Sequence, residues 1–166
     1  GGLLGAGFDA FAAGDPKHPL PDAAPRVPIA RLDERMKDLS VIDRAFAEGR
    51  GQRVATTGHA ALAARGRATM TSPRLKAFDV SDEPEKTREL YGPSSFGKAC
   101  LMARRLVQKG VRLVEVSLGD WDTHADNFNR TKALSTQLDD GMAGLLQDLE
   151  KEDLLDTTLV LCLGEF

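Results

Sequence analysis

The sequence predicts an α/β fold: a partial α/β/α sandwich with one parallel βαβ unit and a mainly helical N-terminal half. Three observations lead there. Residues 111–118 carry β-branched side chains at most of their apolar positions, as strands do. Residues 158–163 are apolar on both alternating faces, the pattern of a central parallel strand covered by helices on each side. Between them Leu134, Leu138, Met142, Leu145 and Leu149 recur at helical steps, predicting a long helix over 128–150. Strand, helix and strand at this spacing form a βαβ unit with a right-handed crossover.

The other elements follow in chain order. Residues 1–28 are dense in glycine and proline, with Pro16, Pro19, Pro21, Pro25 and Pro28. Each proline fixes φ and removes a backbone donor, so an extended arm is expected, with Phe8 and Phe11 placed to anchor it. From Ile29 the apolar residues Ile29, Leu32, Met36, Leu39, Ile42 and Phe46 fall on one helical stripe, with Gly49 and Gly51 as stops. A weaker helix is expected over 54–64. Ser72-Pro73 opens a short one through Ala77, with Phe78 packing just beyond. Another spans 85–90, entered through Ser81-Asp82-Glu83-Pro84 and ended by Tyr91-Gly92-Pro93. Ser94 or Ser95 then caps a helix running to about Lys109. Phe96, Ala99, Cys100, Ala103, Leu106 and Val107 share one of its faces, and Gly110 ends it.

The chain thus reads as two parts of one domain. Residues 1–92 form an extended arm and helical segment; residues 93–166 form the βαβ core segment. Two strands alone make no stable sheet. The chain begins at Gly1 and stops at Phe166, directly after its most strand-like run. It is therefore expected to be an internal fragment of a longer protein with an incomplete domain.

Composition narrows the function classes. A 42% hydrophobic fraction in 166 residues is enough for a core and excludes global disorder. A net charge of −3, from 22 Lys+Arg against 25 Asp+Glu, argues against a nucleic-acid partner, which needs a one-sided basic patch. No run approaches the roughly 18 apolar residues of a membrane span. Cys100 and Cys162 each sit in an apolar run and are expected to be buried, reduced thiols. No Gly-x-Gly-x-x-Gly, Walker or Gly-x-Ser-x-Gly stretch is present, so nucleotide binding and serine-elbow hydrolysis have no support.

The polar residues converge at one predicted edge. In a parallel βαβ unit both strands end on the same side, where ligand sites gather. The first strand leads into Gly119-Asp120-Trp121-Asp122-Thr123-His124-Ala125-Asp126-Asn127 and the second into Gly164-Glu165. Neighbouring strands would bring Asp122, His124 and Glu165 to a common point. Carboxylate and imidazole are ligands for divalent ions such as Zn²⁺ or Mn²⁺, and such an ion polarises a phosphoryl or sulfuryl oxygen. Plainer roles compete for the same residues. Asp126 or Asn127 can cap the following helix, and Asp120 can be solvated. His18 and His59 suit surface or packing positions. No nucleophile is assigned in this chain.

At these residues the chain resembles the domain of unknown function 1501 family, over nearly its whole length. Tyr91-Gly92, the helix 96–107 and Gly110-Val111-Arg112 carry the first part of the resemblance. Trp121-Asp122-Thr123-His124, Asn127-Phe128, residues 154–160 and Gly164-Glu165-Phe166 carry the rest. The resemblance implies kinship with the alkaline phosphatase and sulfatase superfamily, an α/β/α sandwich with a two-metal site. By that analogy Asp122 and His124 match an Asp…His metal pair, and Glu165 stands where a metal-binding Asp is found. The pattern departs in two places: only Thr123 separates Asp122 from His124, where relatives have three residues, and no His follows Glu165. Cys100-Leu101-Met102-Ala103-Arg104 is not the sulfatase Cys-x-Pro-x-Arg motif, because Met102 replaces the proline.

The resemblance implies a hydrolase of phosphate or sulfate esters, the ester being a small molecule or glycan. It implies a divalent metal, with Zn, Mn, Mg and Ca not distinguished, held by Asp122, His124 and Glu165. It also implies export through a twin-arginine leader; Arg104-Arg105 lies mid-helix and is not that signal. The alternative is an exported binding or scaffold protein that kept the fold without the chemistry. Oligomeric state is not legible.

Overall fold

The computed structural model describes residues 10–16, 20, 23–48 and 59–164. Two compact units divide the chain: Leu20–Leu75, and Gly1–Pro19 together with Lys76–Phe166.

In the first unit, α1 spans Ile29–Ala47, as its three-and-four stripe predicts. Ile29, Leu32, Met36 and Leu39 of the stripe are half-buried, whereas Ile42 and Phe46 are more than half exposed and no residue of α1 is fully buried. The predicted stops Gly49 and Gly51 and the start of the second predicted helix lie outside the described residues. That helix, α2, covers His59–Met70. Arg67 of α2 grips Asp33 of α1 through two parallel bonds, Nε to Oδ1 and Nη2 to Oδ2, the latter 2.9 Å. This fork matches a carboxylate's two oxygens, and it holds the Asp33 carboxyl below its ordinary value.

The second unit is built on two helices. Short 3₁₀ turns at Pro73–Phe78, where the chain passes from the first unit into the second, and at Val80–Asp82 precede α3 at Glu85–Leu90, the span its flanking prolines predict. The next helix, α4, covers Ser95–Gln108, with Ser94 as its cap: Ser94 Oγ accepts the Gly97 N–H at 3.0 Å. The longest helix, α5, covers Asn127–Lys151, and a 3₁₀ turn at Leu155–Thr157 follows.

Tyr91, Phe96, Cys100 and Leu101 form one buried cluster, with Val116, Leu118, Leu138 and Leu145 packed on it. Ala77, Met102 and Leu106 form a second, covered by Phe78, Val111 and Val114. Phe11 reaches this unit as predicted, its ring centroid 5.9 Å from that of Phe78; Phe8 lies outside the described residues. Close helix approach depends on missing side chains. A Cβ on Gly144 of α5 would lie 2.8 Å from the Leu90 carbonyl oxygen, and one on Gly97 of α4 would lie 1.8 Å from that of Tyr91.

The predicted α/β sandwich with its parallel βαβ unit is not what the chain forms. Helix is its regular structure, and among the described residues there is no strand. Neither run is a strand: 111–118 alternates in burial over its second half, and 158–163, expected to be covered on both faces, is exposed at every position from 161 to 163. Val114, Val116 and Leu118 are half-buried while Leu113 is 87% exposed. Likewise Leu159, Leu161 and Leu163 face outward at 82%, 65% and 85%. The physical reason is that alternation describes how a segment lies on a core, whereas a strand needs a partner for its N–H and C=O groups. Val111, Val114, Val116 and Leu118 of the first segment pack on the core clusters without forming a ladder. Cys162 also departs from expectation: it is exposed, and Cys100 alone is buried.

Candidate functional site

The segment entering α5 is shaped by two aspartates. Asp120 (φ 69°) and Asp126 (φ 52°) both adopt the left-handed backbone region, which Asp tolerates because its short polar side chain bonds locally. Asp126 does so by accepting from Asn129 Nδ2 at 2.7 Å. It occupies the N-cap position of α5 without making a side-chain cap bond, so the capping role expected of it falls to its backbone. Its carbonyl accepts the Arg130 N–H at 3.1 Å.

Between these bends lie Trp121, 41% exposed, and the predicted ligand pair. Asp122 Oδ1 sits 3.1 Å from His124 Nδ1, and both side chains are more than four-fifths exposed. Thr123, which separates them, is half-buried. Its hydroxyl donates to Asn127 Oδ1 at 2.7 Å, and the Thr131 hydroxyl donates to the same oxygen at 2.9 Å. The structure therefore brings together two of the three predicted ligands. Glu165 lies outside the described residues, and so does His18. His59 is on α2 in the other unit, 3.8 Å from Asp43. Among the described residues no group of three or more His, Cys, Asp or Glu side chains could hold a metal.

The donor chemistry of the pair fits a divalent ion. With metal–ligand bonds of about 2.0–2.1 Å, adjacent ligand atoms stand roughly 2.8–3.0 Å apart on an octahedral ion and roughly 3.3–3.4 Å apart on a tetrahedral one. The Asp122–His124 separation of 3.1 Å lies between the two, within a few tenths of an ångström of either.

A second polar cluster, not anticipated from the sequence, lies in the core. Arg104 is 5% exposed and Asp148 2%. Arg104 Nη2 donates to Glu83 Oε2 at 2.8 Å and Nη1 to Gln108 Oε1 at 2.7 Å. Its Nε lies 2.8 Å from Asp148 Oδ2 but has no hydrogen-bond partner, so that contact is a pairing of charges without hydrogen-bond alignment. Tyr91 donates its hydroxyl to Asp148 Oδ2 at 3.0 Å. Arg105 binds Glu83 Oε1 and the carbonyls of Ala77 and Lys76.

The ionisation of these groups reflects their enclosure. Burial, then the charge of Asp148 and the bond to it, pushes the Tyr91 hydroxyl well above its ordinary value. Burial also raises Glu83, but its bonds to Arg104 and Arg105 prevail and hold the carboxyl low. Burial alone pushes the Cys100 thiol up to about 12, which disqualifies it as a nucleophile at neutral pH.

One signal could have revealed this cluster. Gly141, Gly144 and Asp148 recur at helical spacing and are all buried on α5, a face beside the leucine stripe that periodicity selects. Most of its bonds turn inward, so the cluster joins the helices of the core.

No helix among the described residues is long and apolar enough to cross a membrane. The family model described as "Protein of unknown function (DUF1501)" matches residues 1–166. No curated protein and no solved structure matches the chain.

Proposed function

We propose that this chain, which belongs to the DUF1501 family across residues 1–166, contributes to a divalent-metal-dependent hydrolase of phosphate or sulfate esters. The observation that carries the reading is the exposed Asp122–His124 pair, with donor atoms 3.1 Å apart. The likeness of Asp122-Thr123-His124 to the Asp…His metal pair of the alkaline phosphatase and sulfatase superfamily supplies the ester class.

Asp122 and His124 would hold the ion, and Glu165 is the third ligand this reading assigns. When bound, a divalent ion in such a site polarises the ester's oxygen and lowers the pKa of a bound nucleophile. Metals are ligated by carboxylate in its ionised form and by imidazole in its neutral form. The accessible position of the pair admits a bulky ester, on a small molecule or a glycan, which a buried cluster could not.

The test is metal content and ester hydrolysis by the full-length protein and its Asp122→Ala/His124→Ala variant. The wild type is expected to retain a divalent metal through dialysis and to hydrolyse an aryl phosphate or aryl sulfate, and the variant to lose both. Equal metal content in the two proteins would remove this pair from the site. A wild type that binds no metal and hydrolyses neither ester would overturn the proposal in favour of an exported, non-catalytic scaffold.

A further inference from the structure

Resting on the metal-site reading above, we infer that Thr123 and Asn127 are positioning residues that hold Asp122 and His124 in ligating geometry. Two side chains more than four-fifths exposed have no packing to select their rotamers, and an ion that must order them binds more weakly for it. The residue between them is the point from which both can be fixed. The Thr123 hydroxyl reaches Asn127 Oδ1 at 2.7 Å, and that oxygen also takes the Thr131 hydroxyl at 2.9 Å. Asn127 and Thr131 are four residues apart on α5, hence on one face. Two hydroxyl donors on one oxygen decide which way the Asn127 amide is turned.

The tie is anchored in the core, because Leu134, less than a turn beyond Thr131, is buried. A chain of three polar groups therefore connects the packed body of α5 to the residue between the ligands. Pairing an inward threonine with outward Asp122 and His124 also gives a reason for a one-residue gap between the ligands. Asp122 and His124 are exposed while Thr123 between them is half-buried and tied to α5.

Trp121 is the single tryptophan of the chain and directly precedes Asp122, so its fluorescence can report binding without any activity measurement. The experiment titrates purified full-length protein with Co²⁺, reading Trp121 quenching, and with Zn²⁺ by calorimetry. Thr123→Val, which keeps the shape and removes the hydroxyl, is expected to weaken binding about tenfold, the lower end for loss of an outer partner. Thr123→Ser is expected to restore wild-type affinity. Asn127→Leu should match Thr123→Val, and the double variant should be no worse than either, because both remove the same bond.

Wild-type affinity in Thr123→Val, or a loss that Thr123→Ser does not restore, overturns the positioning role. In that event Asp122→Ala/His124→Ala still decides the metal site separately. No saturable binding of either ion by wild-type protein overturns both.

Discussion

Replacing Arg104 with methionine exposes how the charges of the core are balanced. Arg104 faces two carboxylates, Glu83 at 2.8 Å and Asp148 at 2.8 Å. The two are not equally dependent on it. Glu83 has Arg105 as a second cation, and its side chain is 13% exposed, against 3% for Asp148. Without Arg104, Asp148 would retain the Tyr91 hydroxyl at 3.0 Å and no cation among the contacts described. Leaving one member of a buried ion pair costs about 3–5 kcal/mol, a large share of the roughly 5–15 kcal/mol that stabilises a typical domain. Asp148→Asn leaves Arg104 its bonds to Glu83 and Gln108, and should cost only about 1–3 kcal/mol. At about 2–4 °C per kcal/mol for a chain of this size, the melting temperature should fall roughly 6–20 °C in Arg104→Met and clearly less in Asp148→Asn. The decisive variant is the double one. If the orphaned carboxylate is the cost, Arg104→Met/Asp148→Asn will be more stable than Arg104→Met alone in urea denaturation followed by circular dichroism. A double variant as unstable as Arg104→Met, or an Arg104→Met loss under about 1 kcal/mol, would refute the reasoning.

Three further outcomes follow from the same core. Tyr91 is the sole tyrosine, so absorbance at alkaline pH reads it alone. In urea it should ionise near the ordinary value of 10.0, and in native protein only at higher pH. Its raised value means that its contribution to stability is present below pH 10.0 and lost as the pH climbs through the native value; coincident native and unfolded curves would contradict this. Glu83, held below its ordinary 4.5, works in the opposite direction. The stability it contributes is present above pH 4.5 and lost as the pH falls through the native value. Glu83→Gln should therefore show a shallower acid limb than wild type, and parallel limbs would exclude the effect. Gly144→Ala sets a methyl 2.8 Å from the Leu90 carbonyl oxygen and should cost about 1–3 kcal/mol by overpacking, read as a drop in denaturation midpoint. An unchanged midpoint would show that α5 can shift away from the turn.

What the sequence made legible was local. The span of α3 follows from Pro84 on one side and Gly92-Pro93 on the other, and the start of α4 from the Ser94 hydroxyl that caps it. Each is decided by residues a few positions apart. The buried face of α5 is not wholly local: Leu134 and Leu149 of the leucine stripe are buried as periodicity predicts, but so are Gly141, Gly144 and Asp148 beside them. Gly141 and Gly144 are buried because Phe96 and Leu90 lie against them, and Asp148 because Arg104 and Tyr91 receive it. Hydropathy gives glycine and aspartate no inward preference; only their partners do. The strand prediction failed for the same reason. Val114, Val116 and Leu118 alternate as a strand requires, yet pairing is a property of two segments, and periodicity reads one at a time.

The candidate site was legible to the same extent and for the same reason. Asp122 and His124 are two positions apart, so their meeting at 3.1 Å is again a local outcome. Glu165 depended on the predicted sheet, and that means of placing it went with the strands. Comparing the two polar clusters shows why the smaller one is the candidate. The buried cluster has the richer chemistry: two guanidinium groups, two carboxylates and a phenol. Yet opening it would separate charges held 2.8 Å apart in the core, at a cost no weak ligand could meet. The exposed pair has only two groups, but nothing must be broken to reach them beyond their own contact. On the proposed metal reading, binding there needs order rather than access, and the hydroxyl tie from Thr123 to α5 would supply order without covering Asp122 and His124. A site of this kind gains affinity by being held still, so substitutions beside the ligands should move metal binding while leaving the core's melting temperature alone. Substitutions at Arg104 should do the reverse.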